Sequence, residues 1–216
     1  HANWSNPISR ITELTEGTQN ILLASLQGNF SINAPIGEKY GTIWGSDYIY
    51  APDGQKIIDG DTGAYLVTDD YTHKLGSYQA DWFGGVKNTF TYKNLAFSFL
   101  IDVKKGGQVF SLDQSYGYGT GIYANSVGLN DLGNPIRNQV YVLNNDGTYA
   151  TNPDGTRVFA SGPLGGIIQQ GVIQDPNNPG SYIANNVRLD KYQSSQVLGT
   201  DLPAAAFVYD ASYVKL

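Results

Sequence analysis

Gly84-Gly85-Val86-Lys87-Asn88-Thr89-Phe90-Thr91-Tyr92-Lys93-Asn94-Leu95-Ala96-Phe97-Ser98-Phe99-Leu100-Ile101-Asp102 is the stretch from which the fold can be read. If Lys93-Asn94 is a two-residue turn, residues whose numbers sum to 187 face each other, because side chains along a strand alternate with period two. One face then carries Val86, Asn88, Phe90, Tyr92, Leu95, Phe97, Phe99 and Ile101. The other carries Gly85, Lys87, Thr89, Thr91, Ala96, Ser98, Leu100 and Asp102. A soluble sandwich can use such a hairpin. A strand of about nine to eleven residues with an aromatic outer face and a polar inner one also fits the wall of a barrel in lipid. The pattern by itself is compatible with both.

Composition points the same way. The 216 residues include 26 glycines, 16 tyrosines and nine prolines, with only three glutamates (Glu13, Glu16, Glu38). Helix formers are scarce, whereas turn formers and β-favouring aromatics are plentiful, so the chain is expected to be all-β. A net charge of −6, with 13 Lys and Arg scattered along the chain, gives little to neutralise phosphates, and nucleic acid is not an expected partner. The absence of cysteine excludes disulfide scaffolds, thiolate metal sites and cysteine nucleophiles. No run approaches eighteen apolar residues, which rules out a transmembrane helix but not a transmembrane barrel.

Outward from the hairpin, Tyr40 to Tyr50 reads as a strand. Turn chemistry follows at Pro52-Asp53-Gly54 and Asp59-Gly60-Asp61-Thr62-Gly63. Residues 103–190 are punctuated by Gly117-Tyr118-Gly119, Gly133-Asn134-Pro135, Asn145-Asp146-Gly147, Asn152-Pro153-Asp154-Gly155 and Asp175-Pro176. The chain is expected to make two long loops, 51–81 and 103–190. Loops beyond about fifteen residues are uncommon in compact soluble domains, whereas barrels of the outer membrane have short turns on one side and long loops on the other. Both long loops are therefore expected on the extracellular side, with Lys93-Asn94 at the periplasmic end. Phe207 to Leu216 reads as the start of a further strand.

The segments Tyr40-Gly41-Thr42-Ile43-Trp44-Gly45-Ser46-Asp47-Tyr48, Lys74-Leu75-Gly76-Ser77 and Asp81 to Asn94 resemble the C-terminal barrel region of SusC/RagA-type TonB-linked outer-membrane transporters. The likeness continues in the same order through Phe97 to Asp102, Gly165-Gly166-Ile167 with Gly171-Val172, Val187-Arg188-Leu189-Asp190 and Phe207 to Leu216. The resemblance implies a bacterial outer-membrane barrel of about 22 strands, filled by a plug and capped by a SusD-like surface lipoprotein. It implies import of an oligosaccharide or peptide with energy relayed by TonB. The chain would be a fragment of that barrel (residues 1–216), without the plug, the TonB-contacting segment or the final strands.

Catalytic signals are weak. His73 is the only internal histidine, so no serine relay or histidine metal pair can be built around it. Asp59 and Asp61 have the spacing of a calcium loop but lack its later ligands. Gly119-Thr120-Gly121-Ile122-Tyr123-Ala124 matches a dinucleotide fingerprint formally, yet without a βαβ unit it reads as a Gly-Tyr loop. An enzyme is not expected, nor is any cofactor. Tyr116, Tyr118, Tyr123, Tyr141, Tyr149 and Tyr182, mixed with amides and glycines, suit recognition of a sugar or a partner protein. With Arg188 they are the candidate ligand- or partner-binding residues. Trp44, Tyr48, Trp82 and Tyr92 sit where an interfacial girdle would place them. The rival reading is a soluble all-β carbohydrate-binding or adhesin module.

Overall fold

The computed structural model describes residues 1–27, 29–137, 140–162, 164–189 and 202–216. In chain order the elements are β1 (Ala2–Ser5), β2 (Asn20–Leu26), β3 (Phe30–Pro35), β4 (Thr42–Gly45), β5 (His73–Ser77), β6 (Trp82–Tyr92), β7 (Leu95–Lys105), β8 (Gln108–Phe110), α1 (Leu112–Thr120), β9 (Val172–Gln174), β10 (Tyr182–Ala184), β11 (Val208–Asp210) and β12 (Tyr213–Lys215). Every strand pairing is antiparallel. The chain divides into two units, one of His1–Asp47, Asp69–Ser111 and Ala204–Leu216, the other of Tyr48–Thr68 and Leu112–Pro203.

The first unit is built on the hairpin. β6 and β7 pair over their whole length, from Tyr92↔Leu95 to Trp82↔Lys105, in the sum-187 register. Lys93 turns the chain at φ 52°, in the left-handed region. Phe99 stacks on Phe90 at 6.3 Å and lies 6.0 Å from Phe97, so the three rings share one face. On the opposite face the Tyr213 hydroxyl donates to Asp102 Oδ2 at 3.0 Å. β1 and β12 extend the sheet to four strands in the order β1-β6-β7-β12. Gly84 allows the close approach of β1, since a Cβ there would stand 2.7 Å from the Asn3 carbonyl oxygen.

A second four-stranded sheet, β2-β3-β4-β5, carries several of the buried residues of this unit, among them Ala34, Ile43, Asn33 and Thr42. The β8–β11 pair is fixed to it by Phe110, stacked on Phe30 at 3.9 Å and edge-on to buried Phe207 at 6.3 Å. No closed barrel forms among the described residues; the two larger sheets are open.

Several expectations are revised. The strand anticipated from Tyr40 to Tyr50 is confined to Thr42–Gly45, with isolated bridges at Tyr48 and Tyr50 that belong to the second unit. The stretch 51–81 ends in strand β5, whose sequence His73-Lys74-Leu75-Gly76-Ser77 has no apolar alternation to reveal it. A long-range contact holds it, as Ser77 N–H donates to the Gln108 side-chain oxygen at 2.8 Å. The end of the chain is two short strands, β11 and β12, rather than one. Residues 103–189 are not a single loop either, since β7 runs to Lys105 and β8, α1, β9 and β10 follow.

Helix α1 covers the Gly-Tyr stretch that reads as a loop. It contains two internal glycines, Gly117 and Gly119, and its surroundings require the first. A Cβ on Gly117 would lie 2.2 Å from the Tyr123 ring. Gly121 (φ 81°) ends the helix, and the Gly121 and Ile122 N–H groups return to the Gly117 carbonyl at 3.0 Å, a Schellman-type stop. Arg137 donates to the Tyr118 carbonyl at 2.7 Å and to the Gly119 carbonyl, placing a cation at the negative helix end.

The second unit has a core of its own, made of Ala51, Ile57 and Val172 with Leu66 and Tyr182 packed against them. The apolar content of 103–189 appears too small for a core when counted alone; 48–68 supplies the missing half. Asp190 lies outside the described residues.

Candidate recognition surface

Two triangles of backbone hydrogen bonds organise the second unit. In the first, Ile57 N–H donates to the Ile49 carbonyl, Leu66 to Ile57 and Ile49 to Leu66, all at 2.9 Å. In the second, Ala150 donates to Val142 at 2.9 Å, Val158 to Ala150 at 2.8 Å and Val142 to Val158 at 3.0 Å. The flanking bridges correspond one to one: Tyr48↔Val67, Tyr50↔Lys56 and Ile58↔Tyr65 against Tyr141↔Phe159, Leu143↔Tyr149 and Thr151↔Arg157.

Turn chemistry closes each corner. Asn144-Asn145-Asp146-Gly147-Thr148 and Asn152-Pro153-Asp154-Gly155-Thr156 repeat at an interval of eight residues. In both, the aspartate Oδ1 accepts the threonine N–H (2.9 Å at Thr148 and at Thr156) and its hydroxyl. The asparagine side chain donates to the same hydroxyl, at 3.0 and 2.9 Å. Gly147 and Gly155 take φ near 80°, which glycine adopts without strain. These bonds hold the Asp146 and Asp154 carboxyls below the usual carboxylate range, the threonine hydroxyl being the main cause. Ala51-Pro52-Asp53-Gly54-Gln55 makes the same backbone turn in the first triangle.

The residues just before the triangle corners fall on one side of it, by the alternation of extended backbone. In the first triangle they are Tyr48, Lys56 and Tyr65. The Lys56 ammonium lies 3.6 Å from the Tyr48 ring centre and 5.2 Å from that of Tyr65, and the two rings meet edge to face at 5.1 Å. Burial pushes the Tyr65 hydroxyl pKa up. In the second they are Tyr141, Tyr149 and Arg157, with the guanidinium 4.1 Å from the Tyr149 ring and 5.4 Å from that of Tyr141. Phe159 stacks on Tyr141 at 5.1 Å. Each cluster is a cation held against two tyrosine faces, an arrangement stabilised by the ring quadrupole.

They differ in cover. Tyr48 is 7% exposed, whereas Tyr149 is 46% and Phe159 52% exposed. Arg157 faces solvent, and an open hollow of about 720 Å³ is lined by Tyr141, Asn152, Thr156, Arg157, Val158 and Phe159. This exposed aromatic and cationic surface is the candidate recognition site.

Of the candidate residues from the sequence, Tyr141 and Tyr149 are brought together here. Tyr116 is exposed on α1. Tyr118 and Tyr123 pack on each other at 5.2 Å, and Tyr123 fills the space over Gly117, so these two serve the helix. Tyr182 packs on the Ala51, Ile57 and Val172 core. Arg188 has a side chain only 8% exposed and pairs with Asp131 Oδ2 at 2.6 Å, a structural tie between loops. The guanidinium holds the Asp131 carboxyl below its ordinary range. Tyr48 is not at an interface; it is buried in the first triangle. Arg157, Phe159, Lys56 and Tyr65 go unnoticed in the sequence, although the eight-residue Asn-x-Asp-Gly-Thr repeat marks where the second triangle lies.

Other candidates resolve as structure. Asp59 Oδ1 accepts the N–H groups of Asp61 (3.0 Å) and Thr62 (2.7 Å) and the Thr62 hydroxyl (2.9 Å), an ordinary acidic turn. Among the described residues no cluster of three or more His, Cys, Asp or Glu could hold a metal ion. In the first unit a hollow of about 350 Å³ is lined by Arg10, Glu38, Lys39, Lys74 and Asp81 among others. Its charges pair internally, Lys39 with Asp81 at 2.7 Å and Lys74 with Glu38. His73 stands beside Asp70 at 3.5 Å at the exposed start of β5. A scan against protein-family models and a search of curated proteins each return no match.

Proposed function

We propose that the chain forms wall strands and extracellular loops of a SusC/RagA-type, TonB-linked nutrient importer in the bacterial outer membrane. The observation that carries this reading is the β1-β6-β7-β12 sheet. By the registers, one of its faces gathers Trp4, Trp82, Val86, Phe90, Tyr92, Leu95, Phe97, Phe99, Ile101, Val103 and Val214. Phe97 is 64%, Leu95 76% and Val214 73% exposed. An apolar face of this width, left open, marks a surface made to be covered. Its ends carry Trp4 and Trp82 on one side and Tyr92 on the other. Ten residue steps between Trp82 and Tyr92 span about 33 Å; at the usual strand tilt this is about 25 Å across the bilayer, the height of an outer-membrane apolar band. The reverse face, with Lys87, Thr89, Thr91, Ser98 and Asp102, suits a hydrated lumen.

The second unit supports the same topology. Residues 48–68 and 112–189 lie in one unit, joined where Val172 pairs with Ile57, as expected of loops emerging on one side of a membrane. In this reading a SusD-like lipoprotein and an oligosaccharide or peptide meet that unit, TonB acts through a plug supplied by other sequence, and no catalysis or cofactor is involved.

The test is a pair of substitutions made in the complete importer and folded into phospholipid vesicles. Phe99→Arg places a charge in the middle of the apolar face and is expected to cost about 2–4 kcal/mol of membrane folding, while Ser98→Arg on the lumen face costs under about 1 kcal/mol. Equal effects, or a chain that is monodisperse without detergent, would favour the soluble binding module instead.

A further inference from the structure

The two triangles share a backbone but differ at one edge. In the first, the edge at Lys56 and Ile58 is occupied by an extended segment of the same chain. Val172 N–H donates to the Lys56 carbonyl at 3.0 Å, and Ile58 N–H donates to the Val172 carbonyl at 2.8 Å. Val172 pairs parallel with Ile57, and its side chain joins Ala51 and Ile57 in the core. Gly171 permits the approach, since a Cβ there would stand 2.5 Å from the Lys56 carbonyl oxygen. One step earlier the Gln170 carbonyl accepts the Tyr65 hydroxyl at 2.9 Å.

In the second triangle the equivalent groups are the Tyr149 carbonyl and the Thr151 N–H. Both point away from the triangle, because the flanking bridges are made by their neighbours: Ala150 to Val142, Asn152 to Thr156 and Val158 to Ala150. Both residues are exposed. Ala150 stands where Ile57 stands, and its shorter side chain leaves room for an apolar group like that of Val172. Arg157 stands where Tyr65 stands, so the donor that meets the Gln170 carbonyl in the first triangle is replaced by a cation. Among the described residues Arg157 has no carboxylate partner.

We propose that the Tyr149–Thr151 edge docks an extended strand from another protein chain, by the strand addition that Gln170–Gln174 performs on the first triangle. Recognition has three parts. An apolar β-branched residue exchanges both backbone hydrogen bonds with Tyr149 and Thr151. The residue before it is glycine. The residue before that is acidic and meets Arg157 over the tyrosine faces. The inference concerns the second unit alone and holds whether or not the first unit lies in a membrane.

The probe is the chain's own docking strand, acetyl-Gln-Gly-Val-Ile-Gln-amide, which repeats residues 170–174, together with an analogue that begins with Glu. Hydrogen exchange at the Thr151 amide is followed in the full chain at millimolar peptide. Protection of Thr151 by about tenfold is expected as the site fills, with no change at Ile58, whose N–H is already bonded. The Glu analogue should bind about threefold to tenfold more tightly at low salt, and Arg157→Gln should erase that preference while leaving the Gln peptide bound. N-methylation of the peptide valine removes the donor to the Tyr149 carbonyl and should abolish protection, whereas N-methylation of the isoleucine should not. These peptide modifications leave the protein untouched, so misfolding cannot imitate the result. Absence of Thr151 protection, indifference to N-methyl valine, or equal affinity of the two peptides would each overturn the proposal.

Discussion

Replacing Gly63 by alanine separates the two reasons that a glycine can be required. Gly63 sits at φ 73°, and a Cβ there would lie 2.8 Å from the Leu189 backbone nitrogen and 2.9 Å from the Arg188 carbonyl carbon. The first circumstance is conformational: an L-residue in the left-handed region costs about 1–2 kcal/mol. The second is steric, and because the obstacle is backbone rather than a flexible side chain it cannot rotate away; overpacking of this kind costs about 1–3 kcal/mol. The sum is about 2–5 kcal/mol for Gly63→Ala. Two neighbours in the same unit serve as controls. Gly54 has a similar φ of 85° with open space around it, and Gly60 has neither a left-handed φ nor a neighbour within 4 Å. Gly54→Ala should therefore cost about 1–2 kcal/mol, and Gly60→Ala should be neutral or stabilise by about 0.4–1 kcal/mol through the unfolded state. Denaturant midpoints of the three variants give the ranking. Exchange of the Leu189 amide, which donates to the Ile167 carbonyl at 2.9 Å, reports the contact itself. A Gly63→Ala variant no less stable than Gly54→Ala, with Leu189 still protected, would refute the close approach.

Lys93→Asn should raise stability by about 0.5–1 kcal/mol in a denaturant titration, since asparagine tolerates the φ of 52° at this turn better than lysine. Arg188→Ala should destabilise the second unit by about 1–2 kcal/mol, because it removes a charged hydrogen bond at 2.6 Å from a mostly buried guanidinium to an exposed carboxylate; unfolding followed by amide exchange at Leu189 reads it. The Asp146 and Asp154 carboxyls are lowered from 3.8 by their threonine partners. Their contribution is present in full above that value and is lost as pH falls through the lower folded-state pKa. Protection of the Thr148 and Thr156 amides, taken relative to the intrinsic exchange rate at each pH, should accordingly fall only below about pH 3.8, and Thr148→Val should flatten the dependence at its own turn.

The hairpin was legible in the sequence because everything that fixes it is local. A two-residue turn sets the register, period-two alternation sets the faces, and Phe90, Phe97 and Phe99 follow from arithmetic on their numbers. All-β character followed from composition for the same reason, being a sum of single-residue preferences. Helix α1 was not legible, since Gly117 and Gly119 argue against a helix until the Tyr123 ring and the Arg137 guanidinium are in place. Strand β5 was hidden likewise, held by Gln108 from a distant strand. The recognition surface lies furthest from the sequence. Tyr141 and Tyr149 could be singled out as tyrosines set among amides and glycines, but their union with Arg157 depends on a ring of backbone bonds that closes across seventeen residues, from Val142 to Val158. Only the folded chain shows that Val172 covers one triangle while no described residue bonds to the same edge of its counterpart, because which distant segment reaches an edge is not written in the edge's own sequence.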